Sequence, residues 1–324
     1  MRRERMDIVA CTDSWFVMPT AVMIYSVCVN NPNVDIVFHV IVDADVTPKN
    51  KRDLEKEVFP FEGKTISFYD STLLMQSFEF PPVMISKGIT RTTYYRLFIA
   101  ELLPPDIEKV LYLDVDIIVR HSLRPLWKTD ISNYAVAAAP DIFSDITEFY
   151  ERLKISRRYC YVNAGVLLIN LEYWRECSMA TLFLTWISEN ENVIHYGDQD
   201  VLNAVLKEKI LLIPQKYNLM HGFLWKQSYY LEKFKNDIAE AKQDPTIVHF
   251  SGEKPWDVYN LDPRHPFVST FIKYQRQTKW KGMRIDKRPL RLKIINFLSD
   301  MQRELGLKPP RNTFFEYIDI APID

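Results

Sequence analysis

Apolar positions in the first seventy residues fall into short runs separated by amphipathic stretches. "DIVACT" (7–12), "DIVFHVIVD" (35–43) and "TISFYD" (65–70) have the length and β-branched content of buried strands, and 17–30 and 49–58 between them read as helices. This βαβαβ rhythm predicts an α/β fold with a parallel sheet, whose ligands bind beyond the carboxyl ends of the strands. Further on, "TTYYRLFIAELL" (92–103) predicts a helix stopped by Pro104 and Pro105, and "VLYLDVDIIV" (110–119) a strand. A short run "YAVAAAP" (134–140) and a variable loop to about 160 precede the strand-like "AGVLLINL" (164–171). "EYWRECSMATLFLTWISEN" (172–190) and "DQDVLNAVLKE" (198–208) predict helices, "KILLIPQKYN" (209–218) a strand entering a loop, and "TIVHF" (246–250) a last buried strand. No repeat, low-complexity segment or linker interrupts the pattern before about 260. Residues 1–265 are therefore expected to form one domain, and 266–324 a partly helical extension.

Two charges break this apolar pattern. Asp114 and Asp116 stand one residue apart in a run with no solvent face, and on a strand they would point to the same side. An unpaired buried carboxylate costs several kcal/mol or gives up its charge, so the pair requires a partner. That partner is either an arginine or a divalent cation, and two oxygen ligands suit Mg²⁺ or Mn²⁺ with substrate phosphates completing the shell. His249, in the apolar run ending in the turn "SGEKPW", is either a satisfied core residue or a third ligand. As a ligand, its imidazole favours Mn²⁺.

Composition narrows the classes. The 324 residues are 47% hydrophobic, enough for a sizeable core, and the net charge of −1 argues against a protein that coats nucleic acid. Residues 271–324 nevertheless carry 12 Lys and Arg against 6 Asp and Glu, a local +6 within that neutral total. There, "KRPLRLKIINFLSDMQRELG" puts Leu290, Ile294, Phe297, Leu298, Met301 and Leu305 on one helical face, behind Lys287, Arg288, Arg291 and Lys293, with Pro289 near the start and Gly306 as a stop. Such a helix either lies on an anionic lipid surface or packs back on the core. The opening "MRRERMDIVACTDSWF" has only a brief apolar stretch, broken by Asp13, so no cleaved signal is expected. No apolar run reaches the roughly 18–20 residues that span a bilayer. Cys11, Cys28, Cys160 and Cys177 form no C-x-x-C pair, and the cytoplasm is the expected compartment, with free thiols.

With 8 glycines and neither G-x-G-x-x-G nor G-x-x-x-x-G-K-[ST], the chain lacks the usual phosphate cradles. Gly252 would let a backbone approach a diphosphate closely, with Lys254 as its counter-charge; the alternative is an ordinary surface turn. Asp198 and Gln199 open a helix, where the acid either caps the first turn or, with its neighbour, holds sugar hydroxyls. Asn163, ahead of a buried strand, is either a turn residue or a hydroxyl binder.

In that order, "TTYYRLFIAELL", "KVLYLDVDIIVRHSLRPLW", "YVNAGVLLINLEYWR", "YGDQDVLN", "YNLM" and "HFSGEKPW" closely resemble glycosyltransferase family 8 over about residues 6–260, above all the bacterial lipopolysaccharide α-galactosyltransferases and α-glucosyltransferases, with glycogenin more distant. The resemblance implies an A-type glycosyltransferase fold, a Rossmann-like mixed sheet flanked by helices. It also implies a UDP-galactose or UDP-glucose donor, Mn²⁺, retention of configuration, and a glycan or lipid-linked glycan acceptor. By motif, Asp114, Asp116 and His249 would be metal ligands, with Val115 between the first two at the donor. Gly252 and Lys254 would be diphosphate contacts; Arg96, Asn163, Asp198 and Gln199 would contact the donor sugar, the last two at the reacting carbon. Asp141 in "APDIF" would lie on the acceptor side. "ACTDSWF" resembles the uridine loop, with Cys11, Thr12 and Asp13 facing the nucleotide and Phe16 stacking. Trp15 and Phe16 stand where Asn and Tyr are usual, and Gly252 and Lys254 are one residue closer together than in the family's H-x-x-G-x-x-K-P-W. Two alternatives remain: a non-catalytic nucleotide-sugar or glycan binder, and a phosphatase that uses the first Asp of D-x-D as nucleophile.

Overall fold

The runs of β-branched and aliphatic residues become ten strands in a computed structural model that describes residues 4–81, 84, 91–224, 232–257, 265–283 and 290–308. They are β1 (Arg5–Thr12), β2 (Asp35–Val42), β3 (Lys64–Asp70), β4 (Lys109–Leu113), β5 (Ile117–Val119), β6 (Val136–Pro140), β7 (Val162–Asn170), β8 (Ile210–Leu212), β9 (Leu219–Met220) and β10 (Ile247–His249). Seven form one sheet in the order β3-β2-β1-β4-β7-β6-β8, and β5-β10-β9 form a second. The first sheet is mixed: β7 runs antiparallel to both β4 and β6, while the other pairings are parallel. A strand covered on both faces needs apolar side chains at every position, and β1 is buried at all but its first residue. Alternate residues serve opposite faces. Ile8, Phe38 and Leu111 enter one apolar cluster, with Ile24 of the helix Val17–Asn30; Val9, Ile41 and Tyr112 enter the other, with Trp174 and Phe183.

The run 110–119 is not a single strand. Leu113 ends β4 in the large sheet and Ile117 begins β5 in the small one, so Asp114-Val115-Asp116 is the turn between sheets, and strand alternation does not pair its carboxylates. Each sheet holds one end of the turn: Asp114 N donates to Gly165 O at 2.8 Å, and Phe250 N donates to Asp116 O at 2.9 Å. Charge marks where the chain leaves the covered sheet.

Two other segments differ from expectation. The stretch 172–190 is two helices, Leu171–Glu176 and Met179–Glu189, broken at Ser178, whose φ is 48°. The stretch 92–103 is helical in three short pieces with a tighter 3₁₀ turn, Tyr95–Phe98, in the middle. The loop expected before 160 also contains a helix, Thr147–Leu153.

A third cluster joins the small sheet to the helices Val17–Asn30 and Val268–Gln275 through Ile118, Val248, Phe250, Met18, Val22, Phe267 and Phe271. The helix Leu290–Glu304 ends as its glycine suggests: Gly306 has φ 72°, and Leu307 N donates back to Gln302 O at 2.8 Å. Its apolar face is open, with Phe297 64% and Leu305 70% exposed. Lys287, Arg288 and Pro289, like the side chains of Leu290 and Lys293, lie outside the described residues. Among the described residues no helix is long and apolar enough to cross a membrane.

Candidate active site

The inter-sheet turn brings its carboxylates to the end of β10. His249 Nε2 lies 3.2 Å from Asp116 Oδ1 and 3.7 Å from Asp114 Oδ2, and one ligand atom from each residue fits within 4.8 Å of the others. A chain of hydrogen bonds fixes which imidazole nitrogen faces them. Gly165 N, a donor by necessity, reaches Asn163 Oδ1 at 2.9 Å, and Asn218 Nδ2 donates to the same oxygen at 2.8 Å. Asn218 Oδ1 therefore accepts from His249 Nδ1 at 2.9 Å, which puts the proton on Nδ1 and the Nε2 lone pair toward the carboxylates. Asp116 Oδ1 is buried and accepts no hydrogen bond. Two hard oxygens and one imidazole lone pair converging on a point suit a divalent cation. No room remains for a side chain behind them: a Cβ on Gly165 would meet His249 Cε1 at 2.3 Å.

Two cations already touch the carboxylates. Lys254 Nζ pairs with Asp116 Oδ2 and donates to Phe250 O at 2.6 Å. Burial pushes the Asp116 carboxyl up, but the Lys254 ammonium outweighs it and holds the group below the carboxylate range. Arg96, brought in by the 3₁₀ turn, contacts Asp114 Oδ1 and Asp198 Oδ2, both at 2.9 Å, and donates to Ala164 O at 2.6 Å over the Tyr112 ring. Tyr112 OH donates to Asp114 Oδ1 at 2.7 Å. The Arg96 Nε hydrogen goes to Thr93 O, so Asp198 Oδ2 has an ionic neighbour but no hydrogen bond. Burial pushes the Asp198 carboxyl up to about 7, against the pull of Arg96 and with a further push from Asp114.

Asp198 and Gln199 stand in the first turn of the helix Gly197–Leu206. Gln199 Oε1 accepts from Ala164 N at 3.1 Å and from Asn163 Nδ2 at 3.0 Å, and its Nε2 donates to Asp141 Oδ2 at 3.2 Å. Asn163 Nδ2 also reaches Asp141 Oδ2, at 2.9 Å. Asp141 and Asn163, both buried, and the half-buried Gln199 thus form one amide–carboxylate network beside the Asp-Asp-His cluster.

At the end of β1 the residues are close by, but most turn inward. Cys11 is buried in the core, its thiol pushed up to about 12, and the Thr12 hydroxyl accepts from Thr20 Oγ1 at 2.9 Å. Asp13 Oδ1 accepts from Trp15 N at 2.9 Å and Phe16 N at 3.2 Å, which shapes the loop. Phe16 packs edge-on against Trp256, 6.1 Å between centroids, tying this loop to the turn that bears Lys254, while Trp15 is 86% exposed. Val115 sits buried between the two aspartates. Gly252 lies over His221, whose Cδ2 a Cβ would meet at 2.8 Å.

Sequence reasoning gave no role to Asn218, Gly165 or Tyr112. The signal for the first two was a buried-looking Asn in "YNLM" and the glycine of "NAG".

The profile of the family described as Glycosyl transferase family 8 matches residues 7–259. The chain belongs to glycosyltransferase family 8. It is similar to General stress protein A of Bacillus subtilis (strain 168), 30% identical over 296 residues that cover 86% of this chain and 96% of that protein. A lipopolysaccharide 1,2-glucosyltransferase of Escherichia coli is 24% identical over 315 residues, 88% of each chain. The solved galactosyltransferase LgtC, in complex with donor and acceptor sugar analogs, matches with TM-score 0.73 and 28% identity over 86% of this chain and 99% of that one. As a member of family 8 the protein is a glycosyltransferase of the A-type fold, with a nucleotide-sugar donor and a glycan acceptor.

Proposed function

We propose that the protein transfers galactose or glucose, with retention, from a UDP-sugar to a glycan acceptor in lipopolysaccharide or related surface-glycan synthesis, with Mn²⁺ as its cation. The observation that carries this is the convergence of Asp114, Asp116 and the Nε2 lone pair of His249 on one point, next to Arg96 and Asp198. When bound there, a divalent cation supplies charge neutralisation for the departing diphosphate. Lys254 and the close backbone approach at Gly252 add to it from the other side. Arg96 holds Asp114 and Asp198 at fixed spacing, so diphosphate and sugar are oriented by one rigid guanidinium. Gln199 Oε1 already accepts two hydrogen bonds, which supports a positioning role for that side chain rather than attack on the sugar carbon. Asp198 is left as the acidic group at the sugar, and Asp141 as the base of the network toward the acceptor. UDP release from UDP-galactose and UDP-glucose, with and without Mn²⁺, tests the reading. Release from one donor that needs the metal and vanishes in Asp116→Ala supports it; metal-independent release, or none from either donor, refutes it.

The site of action is proposed to be the cytoplasmic face of the plasma membrane. The open apolar face of Leu290–Glu304 beside Arg291 supports an interfacial helix under a lipid-linked acceptor. Sedimentation with anionic vesicles, lost in Phe297→Asp/Leu298→Asp, checks this; equal sedimentation of the variant refutes it.

A further inference from the structure

Arg96 and Lys254 hold the carboxylates in different ways. Arg96 has a side-chain exposure of 7% and is fixed on Asp114, Asp198, Thr93 O and Ala164 O, so it cannot leave without dismantling the pocket. Lys254 is 27% exposed, sits on the irregular turn after β10 and reaches back to Asp116 Oδ2 and Phe250 O on a flexible stem. Its ammonium therefore neutralises one of the three groups that converge on the cation position, from the side open to solvent. A dication entering the Asp114, Asp116 and His249 cluster meets that positive charge at close range, where partial burial weakens screening.

Resting on the metal-centre reading above, we propose that Lys254 is an internal counter-ion which competes with the divalent cation for Asp116 and is released to the donor diphosphate, so that cation and nucleotide bind cooperatively. The lysine has two alternative anionic partners, Asp116 and the diphosphate. With Asp116 paired to Lys254, the cation alone binds weakly. Once a diphosphate draws the ammonium away, Asp116 presents both oxygens and cation affinity rises. By linkage the cation raises nucleotide affinity by the same factor. The arrangement also keeps the site from holding a bare cation between turnovers.

The experiment measures free Mn²⁺ by electron paramagnetic resonance while the full chain is titrated, with and without UDP, for the unaltered protein and for Lys254→Met and Lys254→Arg. Removing the charge is expected to tighten binding of Mn²⁺ alone by about tenfold and to shrink the enhancement by UDP correspondingly, within the range usual for such couplings. Lys254→Arg, which keeps the charge, should retain the weak Mn²⁺ affinity and guards against a trivial packing effect. If Lys254→Met lowers UDP affinity but leaves binding of Mn²⁺ alone unchanged or weaker, the lysine is only a diphosphate contact and the competition is overturned. If the unaltered protein binds no Mn²⁺ with or without UDP, the metal-centre reading fails as well.

Discussion

Gly165 presses its α-carbon against the imidazole of His249: a methyl group there would lie 2.3 Å from Cε1 and 2.8 Å from both Nδ1 and Asp114 Oδ2. Backbone on β7 thus forms the rear wall of the Asp-Asp-His cluster, and neither the ring nor the carboxylate can retreat while Asn218 and Tyr112 hold them. Gly165→Ala is expected to displace His249 and weaken Mn²⁺ binding by roughly 10–100-fold, the scale on which supporting groups act at metal sites. Isothermal titration with Mn²⁺ in the presence of UDP measures it. Unchanged affinity with an intact fold would mean that His249 is not a ligand.

The proton on His249 Nδ1 is set by Asn218, not by the metal position. In Asn218→Leu the ring loses its acceptor and becomes free to place the proton on Nε2, which removes the lone pair facing Asp114 and Asp116. Mn²⁺ affinity should again fall by roughly 10–100-fold. Unchanged affinity would remove Asn218 from the site.

Asp198 makes stability depend on pH. Its carboxyl is pushed up to about 7 in the folded protein, mainly by burial, while an unfolded aspartate sits near 3.9. A raised acid favours the folded state only while protonated, so its contribution is full below about 4 and is lost as pH rises through about 7. Replacing it by Asn removes this dependence. In metal-free protein the stability of Asp198→Asn relative to the parent should therefore grow between pH 5 and pH 7, by on the order of 2–3 kcal/mol, and stay level above. Urea unfolding at pH 5, 6, 7 and 8 reads it, and a pH-independent difference contradicts the raised carboxyl.

Much of the fold can be read from the strands themselves. β1 and β2 announce themselves because a strand buried on both faces must be apolar nearly throughout, as 7–12 and 35–43 are, whereas β3, at the edge of the sheet and half exposed, shows in the alternation of Ile66 and Phe68 with polar residues. The inter-sheet turn was not readable, since apolar residues flank D-V-D in the same way whether the chain runs straight through one sheet or steps into another. Ser178 was equally silent: one polar residue fits the exposed face of an amphipathic helix, and only its positive φ shows the break. At the site, the charged residues were conspicuous because each needs a partner. Asn218 was not, because an asparagine after a strand reads as a turn, and the hydrogen-bond chain that gives it meaning joins residues 163, 165, 218 and 249 only in three dimensions.

Asp200 stands two residues beyond Asp198 in "DQD" and does different work. It is fully buried and accepts five hydrogen bonds: from Arg152 at 2.7 and 3.0 Å, Tyr161 OH at 2.7 Å, and the backbone N–H groups of His195 and Tyr196, each at 2.8 Å. The last two fix the approach to Gly197, whose φ of 53° turns the chain into the helix that presents Asp198 and Gln199. Removing one partner of a buried ion pair leaves the other uncompensated, at about 3–5 kcal/mol, so Asp200→Ala should lower stability by that order. Double replacement with Arg152→Met, which removes the stranded guanidinium as well, should recover part of the loss in a mutant cycle. Activity separates the two roles of the acid. If Asp200 only anchors the loop, the double variant regains stability but transfers sugar slowly, because Asp198 and Gln199 are no longer held in register. Full activity in a variant without Asp200 would show that the helix start needs no such anchor.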